Sequence, residues 1–577
     1  MQENIIIKNV RIFDPSQCIN GEIDNIYISN GKFVKNIENE SEFLEIDGSN
    51  LIAVPGFIDL RSLYYNPLLN YIRALYIDLD NNKINEIDEL DFLHKLEDIE
   101  KCYVKHGFTF VVIPEIGFTL INLVNNNMEL YSVIDKAILL ELGSHWALNS
   151  DFSEEIDDKT AIERIRIYIN ELTTKLKSIS INISAPYHQQ FWKLSDKIDI
   201  NFERVPLFGI KQNIIYERIC NAILNHESGI KSDLFISPYF IEEPNNEHVL
   251  YSFLENILEK LKNYKEEINK IQDDAKIKFQ PALHLSLANH YFIETPDLVI
   301  NLLKKFKNFR IDISPLILKG IRPLITQHRN LIQDKLQKQI TIKENKSITD
   351  YINVIDLELD TEYYLSLIDR NIIDLKSAKI MLSFLTILQK AKAEGLLDRI
   401  SITTNAPINI DLSSFINILF TLINKSEFEK IKSTLQKAGI SHQKLIDLNL
   451  TLDFYDIIQL VSTSQAKSLG LDDIKGTMKI GADADLVLFK LTNEDLNKLK
   501  ENLSEGIKEN LKNPELVIKS GHILVRQGIL DDKNNIKNLG KLVYFSNEIE
   551  IENKNKILDK KIDFFKKHFS MNYKSIF

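Results

Sequence analysis

The sequence predicts an α/β chain: a distorted (β/α)8 barrel enclosed between the two halves of a small β-domain. Three observations carry this. Short apolar runs alternate with long amphipathic stretches over roughly 400 residues, the pattern of a parallel β/α architecture. Period-two patterning at the start of the chain recurs near its C-terminus. A Gly-Ala-Asp-Ala-Asp turn at 481–485 leads into the second β-rich patch.

From the N-terminus, "NIIIKNVRIFD", "NIYISNGKFVKNI" and "FLEIDGSNLIAVPG" alternate apolar and polar residues around Asn-Gly and Asp-Gly turns, which reads as hairpins in a small sheet. Its counterpart is "GADADLVLFK" at 481–490 with "ELVIKSGHILVRQG" at 515–528. Between them, the strand candidates are 108–114, 137–142, 178–184, 309–314 and 399–404. Helices include 246–264 and 375–395, and two long helical insertions are expected at about 320–350 and 420–450. The C-terminal "KNKILDKKIDFFKKHFSMNYKSIF" is an amphipathic helix that could dock on a partner or on its own barrel. The expected divisions are 1–54 and 471–540 for the β-domain, 55–470 for the barrel and 541–577 for the tail.

Composition narrows the function classes. A net charge of −12 argues against a phosphate-backbone partner. The basic cluster "KKFKNFR" at 304–310 reads as a solvated helix face. No apolar run reaches the ~20 residues needed to span a bilayer, and the start resembles neither a signal nor a transit peptide. Cys18, Cys102 and Cys220 match no metal spacing and read as plain buried thiols, so a reducing, cytoplasmic home is expected. There is no glycine-rich phosphate loop.

"VPGFIDLRSL" after the third hairpin, and "TSQAKSLGLDDIKGTMKIGADADLVLF" at 463–489, resemble the punctuation of the amidohydrolase superfamily of metal-dependent TIM-barrel hydrolases. Further stretches resemble one of its families, the A-type subunits of formylmethanofuran dehydrogenase and of the bacterial formyltransferase/hydrolase complex. "NISAPYHQQFW", with Pro186 and Trp192 in step, resembles the family's Pro-Gly-Gly…Trp segment. "VPLFGIKQNIIYERICNAI" resembles its helix entry, "ISITTNAPINIDLSSFINILFTLINKS" its Thr-Thr-Asp-His-Pro segment, and "FRIDISPLIL" its Asp-bearing strand. The Phe-Phe…Tyr tail is similar to its C-terminus, so the resemblance spans nearly the whole chain.

Carried over residue by residue, that family's binuclear zinc site is mostly missing here. Its first His-x-His falls on Arg61 and Leu63, its carboxylated lysine on Asn182, and its second His-x-His near Phe235 and Ser237. A following histidine survives as His284, and the Asp that activates water falls on Asn405. Leu63 and Ser237 cannot replace imidazoles, Arg61 places a permanent cation at the metal position, and Asn182 has no amine to carbamylate. Asn405 cannot accept a proton at neutral pH. Arg61 would then need a carboxylate partner, with Asp59 or Asp312 as candidates.

Asp59, His145 and Asp312 are the other polar candidates. The bland readings are a helix cap for either Asp, a hydrogen-bonded core role for His284 and packing for His145, and nothing in the sequence positions a nucleophile triad. The expectation is therefore a catalytically degenerate scaffold subunit in tetrahydromethanopterin-linked one-carbon metabolism, as in methylotrophy. No metal is expected, with zinc confined to intact relatives; a methanofuran-type formyl carrier could still be cradled. The implied partners are B-, C- and formyltransferase-like subunits, with no nucleic acid and no membrane. The alternatives are an active hydrolase of an N-formyl or other C–N amide bond using non-standard residues, and a repurposed metal-free binding protein.

Overall fold

The computed structural model describes residues 4–36, 43–62, 96–117, 124, 132–184, 186, 204–205, 208–224, 230–237, 250–260, 262, 282–287, 296–315, 318, 321–325, 364–368, 373, 375–404, 412–501, 503–531, 539–545, 559–561, 563 and 567. The chain opens with β1 (Asn4–Asp14), β2 (Ile19–Ser29), β3 (Lys32–Val34), β4 (Phe43–Asp47) and β5 (Leu51–Pro55). The barrel strands are β6 (Phe57–Asp59), β7 (Phe108–Gly117), β8 (Asp135–Glu141), β9 (Ser180–Ser184), β10 (Leu234–Ser237), β11 (Leu283–Ser286) and β12 (Phe309–Ile313). A separate antiparallel pair, β13 (Ile321–Ile325) and β14 (Tyr364–Ile368), precedes the eighth barrel strand, β15 (Ile400–Ile402). The second β-rich patch supplies β16 (Leu486–Lys490), β17 (Leu516–Lys519), β18 (His522–Arg526) and β19 (Ile529–Leu530).

Both ends of the chain share one nine-stranded sheet, ordered β19-β18-β17-β16-β5-β1-β2-β3 with β4 on β1. The seam is the antiparallel pairing of β5 with β16, where Val54 faces Val487. This sheet curls on itself: the Ala484 N–H donates to Gly31 O at 2.9 Å and the Phe33 N–H to Ala482 O at 3.1 Å, joining the β2–β3 hairpin to the turn before β16. Gly481 enters that turn at φ +90°, a conformation that side chains resist. The alternating apolar residues of β1, β2, β5 and β16, among them Ile5, Ile7, Ile28, Ala53 and Leu486, meet in one core.

The eight barrel strands are parallel and sequential, β6 to β15. Gly56 joins the sheet to the barrel. A Cβ there would lie 2.2 Å from Thr109 Oγ1, so the Pro-Gly-Phe of the motif admits no larger residue. β8 is buried along all seven residues, as a strand covered by helices on one side and barrel interior on the other must be. The N-terminal end of the barrel is plugged by Ala466, Leu469 and Leu471, which pack with Leu139, Ile179 and Phe235.

The structure departs from the sequence reading at several points. The first expected helical insertion begins instead as strand β13, because the run Ile321–Ile325 pairs with Tyr364–Ile368; the rest of 320–350 lies outside the described residues. The second contains helices Lys425–Lys437 and His442–Ile446. Two further helices, Asn493–Glu501 and Glu505–Lys512, lie between β16 and β17 and bury Leu499, Ile507 and Leu511 in the barrel's outer core. The cluster at 304–310 is only partly a solvated face: Lys304 and Lys305 pair with surface glutamates, while Arg310 is buried on β12 against Asp233. Of the cysteines, Cys220 is buried, Cys102 half-buried and Cys18 exposed. No described helix is long and apolar enough to cross a membrane.

Candidate functional site

Polar side chains collect where the barrel strands end. Glu141, Ser184, Ser237 and Ser286 are the last residues of β8, β9, β10 and β11, and all four are buried. Such groups are tolerated in a core only when hydrogen-bonded, so their partners define what the site can do.

Arg61, two residues past β6 and fully buried, reaches across the barrel and donates from Nη1 to Ser237 Oγ at 3.1 Å. Ser237 in turn donates to Asn182 Oδ1 at 2.9 Å. The Asn182 amide donates to Glu141 Oε2 at 2.8 Å and to Ser184 Oγ at 3.1 Å. Glu141 also accepts the N–H of Gly143 at 2.6 Å, the N–H of Ser184 at 3.0 Å and the Ser184 hydroxyl at 2.5 Å. A buried guanidinium and a buried carboxylate are thus linked through two neutral groups.

These residues do not fit a zinc centre. Zinc needs imidazole, thiolate or carboxylate lone pairs aimed at one point. Here the Glu141 oxygens are taken up by N–H and O–H donors, Asn182 is engaged at both its oxygen and its nitrogen, and Arg61 offers only donors and a fixed positive charge. Leu63 and Asn405 lie outside the described residues. Among the described residues, the one group of three acidic, His or Cys side chains close enough to hold a metal is Asp135, Asp483 and Asp485. It is already neutralised by ammonium groups: Lys475 lies 2.7 Å from both Asp483 and Asp485, and Lys519 lies 2.9 Å from Asp135. The two Asp of the Gly-Ala-Asp-Ala-Asp turn therefore anchor the sheet to the foot of β8. These charges hold Asp135 well below the usual carboxylate range despite its burial, and Lys475 well above the usual ammonium range.

His284 sits one layer deeper than the Ser237 level. It is in register with Phe235 and Arg310, and its ring stacks on Phe235 at 4.5 Å. Its Nδ1 lies 3.5 Å from Asp233 and its Nε2 3.2 Å from Asp312, all three fully buried. Asp233 is shared with Arg310 and with the Ala282 N–H at 2.9 Å, and Asp312 accepts from Ser286 Oγ at 2.8 Å. Burial disfavours the imidazolium, but the two facing carboxylates outweigh it and raise the His284 pKa above its ordinary value. Asp233 is held below the carboxylate range, because Arg310 and His284 overcome its own burial.

Neither Asp59 nor Asp312 pairs with the Arg61 guanidinium, contrary to the sequence expectation. Asp59 does not cap a helix either. It accepts the Arg61 N–H at 3.2 Å and the Thr404 N–H at 3.0 Å through one oxygen, and the hydroxyls of Tyr103 (2.8 Å) and Thr404 through the other. The carboxylate is consumed by the turn after β6 and by the segment after β15, which leaves none of it for the guanidinium. Burial pushes the Asp59 pKa up against these hydrogen bonds. His145 stacks on Tyr168 at 5.5 Å, with Nε2 2.9 Å from the Tyr168 hydroxyl. Burial and the nearby Lys561 push its pKa down to about 3, so it is a neutral packing group.

Sequence reasoning missed Glu141, Asp233, Arg310, Tyr103 and Thr404. A signal existed for two of them: Glu141 is the one acid in the apolar run 137–142, and Asp233 opens the apolar run of β10. Tyr103 and Thr404 carry none, since their role arises only where both reach Asp59 at the end of β6.

Residues 430–525 match the amidohydrolase family (Amidohydro_3). Over 98% of its length the chain is 21% identical to protein FwdA of Methanocaldococcus jannaschii, covering 95% of that protein. Its fold matches the formyltransferase/hydrolase complex (FhcABCD) of Methylorubrum extorquens, crystallised with methylofuran, at a TM-score of 0.70 and 16% identity over 99% of this chain and 96% of that one. An eight-stranded parallel barrel and a sheet built from both chain ends thus stand beside a full-length likeness: the chain is similar to FwdA and carries an amidohydrolase-family match in its C-terminal part.

Proposed function

We propose that this chain is the FwdA-like subunit of a formyltransferase/hydrolase-type assembly in one-carbon metabolism, and that it serves there as a scaffold and not as the hydrolase. The likeness to FwdA over nearly the whole of both chains supports the assembly. The observation that carries the scaffold role is the relay Arg61–Ser237–Asn182–Glu141, which joins the ends of four barrel strands. Hydrolysis of an amide needs an activated water and an acceptor for its proton. The side chains of this relay are instead hydrogen-bonded to one another and to the adjoining backbone. The partners would be B-, C- and formyltransferase-like subunits, and the ligand retained, if any, a methanofuran-type formyl carrier.

The test is affinity purification of the tagged chain from its own cell, with mass spectrometry of what accompanies it, metal analysis, and an N-formyl amide hydrolysis assay. Stoichiometric recovery of the other components of that assembly, with less than one zinc per chain and no deformylation, is the expected result. Recovery of the chain alone would overturn the assembly role. Two zincs with deformylation by the purified chain would overturn the scaffold role.

A further inference from the structure

Past the β-domain the chain returns to the barrel. The Gly540 N–H donates to Ser132 O at 3.2 Å, the Lys136 N–H to Lys541 O at 2.9 Å, and the Val543 N–H to Lys136 O at 2.7 Å. The Lys541 N–H adds a bond to Asp135 Oδ1 at 2.8 Å. A Cβ on Gly540 would fall 2.0 Å from Ile134 O, so the backbones approach as closely as only glycine allows. Val543 and Phe545 then pack against the apolar plug of the barrel. All these contacts are at the start of β8, the foot of the barrel.

Lys561 lies at the opposite end. It is buried, and its Nζ donates to the Asp151 carboxylate and to the carbonyl of Ala147. It sits 5.8 Å from the centre of the Tyr168 ring, the ring that stacks on His145. Asp151 and Ala147 belong to the 3-10 segment Trp146–Asp151, which follows the C-terminal end of β8 on the side where a barrel displays its chemistry. In the same segment Trp146 packs edge-on against Phe208 at 5.4 Å. The seven residues of β8 rise about 23 Å. Val543 and Lys561 are 18 positions apart in the sequence, a separation sufficient for that height.

We infer that the C-terminal segment is an intramolecular strap: it is tied to the foot of β8 by residues 540–545, and at the other end of the strand it locks the loop 145–151 through Lys561. The partner of this surface is the chain's own terminus, not another protein. Burying a lysine with a carboxylate and a carbonyl is tolerated only where the segment carrying it is held in one position. Lys561 is here a positioning residue for the Trp146 loop, and releasing it frees that loop. The inference does not depend on which assembly the chain joins.

The native chain itself provides the first test. Lys560 is exposed and Lys561 buried, so reductive methylation of the folded protein followed by mass spectrometry has an internal control. Methylation of Lys561 at least about tenfold slower than that of Lys560 is expected. Equal rates would overturn the strap. The second test is hydrogen–deuterium exchange of the full chain carrying Lys561→Met or Asp151→Asn. Exchange in 145–151 should accelerate about tenfold or more in each variant, with no further gain in the double variant. Unchanged exchange in that loop in a folded single variant would overturn the role of Lys561. Should the variants fail to fold, the methylation result alone decides.

Discussion

Asp59 and Thr404 are 345 residues apart in the chain, yet one carboxylate oxygen of Asp59 accepts the Thr404 N–H at 3.0 Å while the other accepts its hydroxyl. Strands β6 and β15 are the two ends of the eight-stranded ladder, with no described pairing between them. This side chain bridges that gap, aided by Tyr103, whose hydroxyl reaches both Asp59 (2.8 Å) and Ser62 (2.9 Å). The acid at the end of the Phe-Ile-Asp motif is, in this protein, a structural clasp.

Asp59→Ala should therefore lower unfolding free energy by about 3 kcal/mol, since it strands several buried donors at once. Asp59→Asn should cost about 1 kcal/mol, because its amide oxygen can still accept both backbone N–H groups and its nitrogen can donate to the two hydroxyls. Urea denaturation followed by circular dichroism separates the two. Equal losses for Ala and Asn would refute the clasp.

Placing an imidazole at Arg61 should not create a zinc site. Arg61→His supplies one imidazole but leaves Asn182 and Ser237 in place, so the variant should bind zinc no better than wild type in equilibrium dialysis. It should also lose about 3 kcal/mol of stability, because the guanidinium that balances the Glu141 relay is gone. Tight, stoichiometric zinc in the single variant would show that the donor set is nearly intact.

The carboxylates around His284 predict a pH signature. Its folded-state pKa is raised above the ordinary 6.5, so protonation stabilises the fold in full below about pH 6.5. That contribution fades as pH rises through the folded-state value. Thermal melts between about pH 6 and 9 should therefore show a decline in wild type that is shallower in His284→Gln. Parallel slopes would sink the idea.

Removing Lys475 should be among the most damaging single changes. Lys475→Met leaves Asp135, Asp483 and Asp485 crowded together, with Lys519 the remaining buried cation of the cluster. A loss of about 3–5 kcal/mol is expected, with little relief from added salt because the group is buried. A measured loss below about 1 kcal/mol would mean that the cluster does not hold the sheet to the barrel.

The sequence by itself determined the barrel, the sheet drawn from both ends and the absence of an imidazole, thiolate or carboxylate at Arg61, Asn182 and Ser237. Period and residue type decide these locally: an alternating run forms a strand wherever it packs, and Asn182 can carry no carbamate in any fold. The turn motif at 481–485 was legible, but its meaning was not. Only in three dimensions do Asp483 and Asp485 meet Lys475, Lys519 and the far-off Asp135. The partners of Arg61 were likewise undetermined. An acid two residues away looked like its natural counter-charge, but Asp59 was already committed to Thr404 and Tyr103, so the guanidinium turned across the barrel to Ser237. Which buried donor meets which acceptor depends on closure of the barrel, which brings residues hundreds of positions apart into hydrogen-bonding range. That pairing was for the tertiary structure to decide.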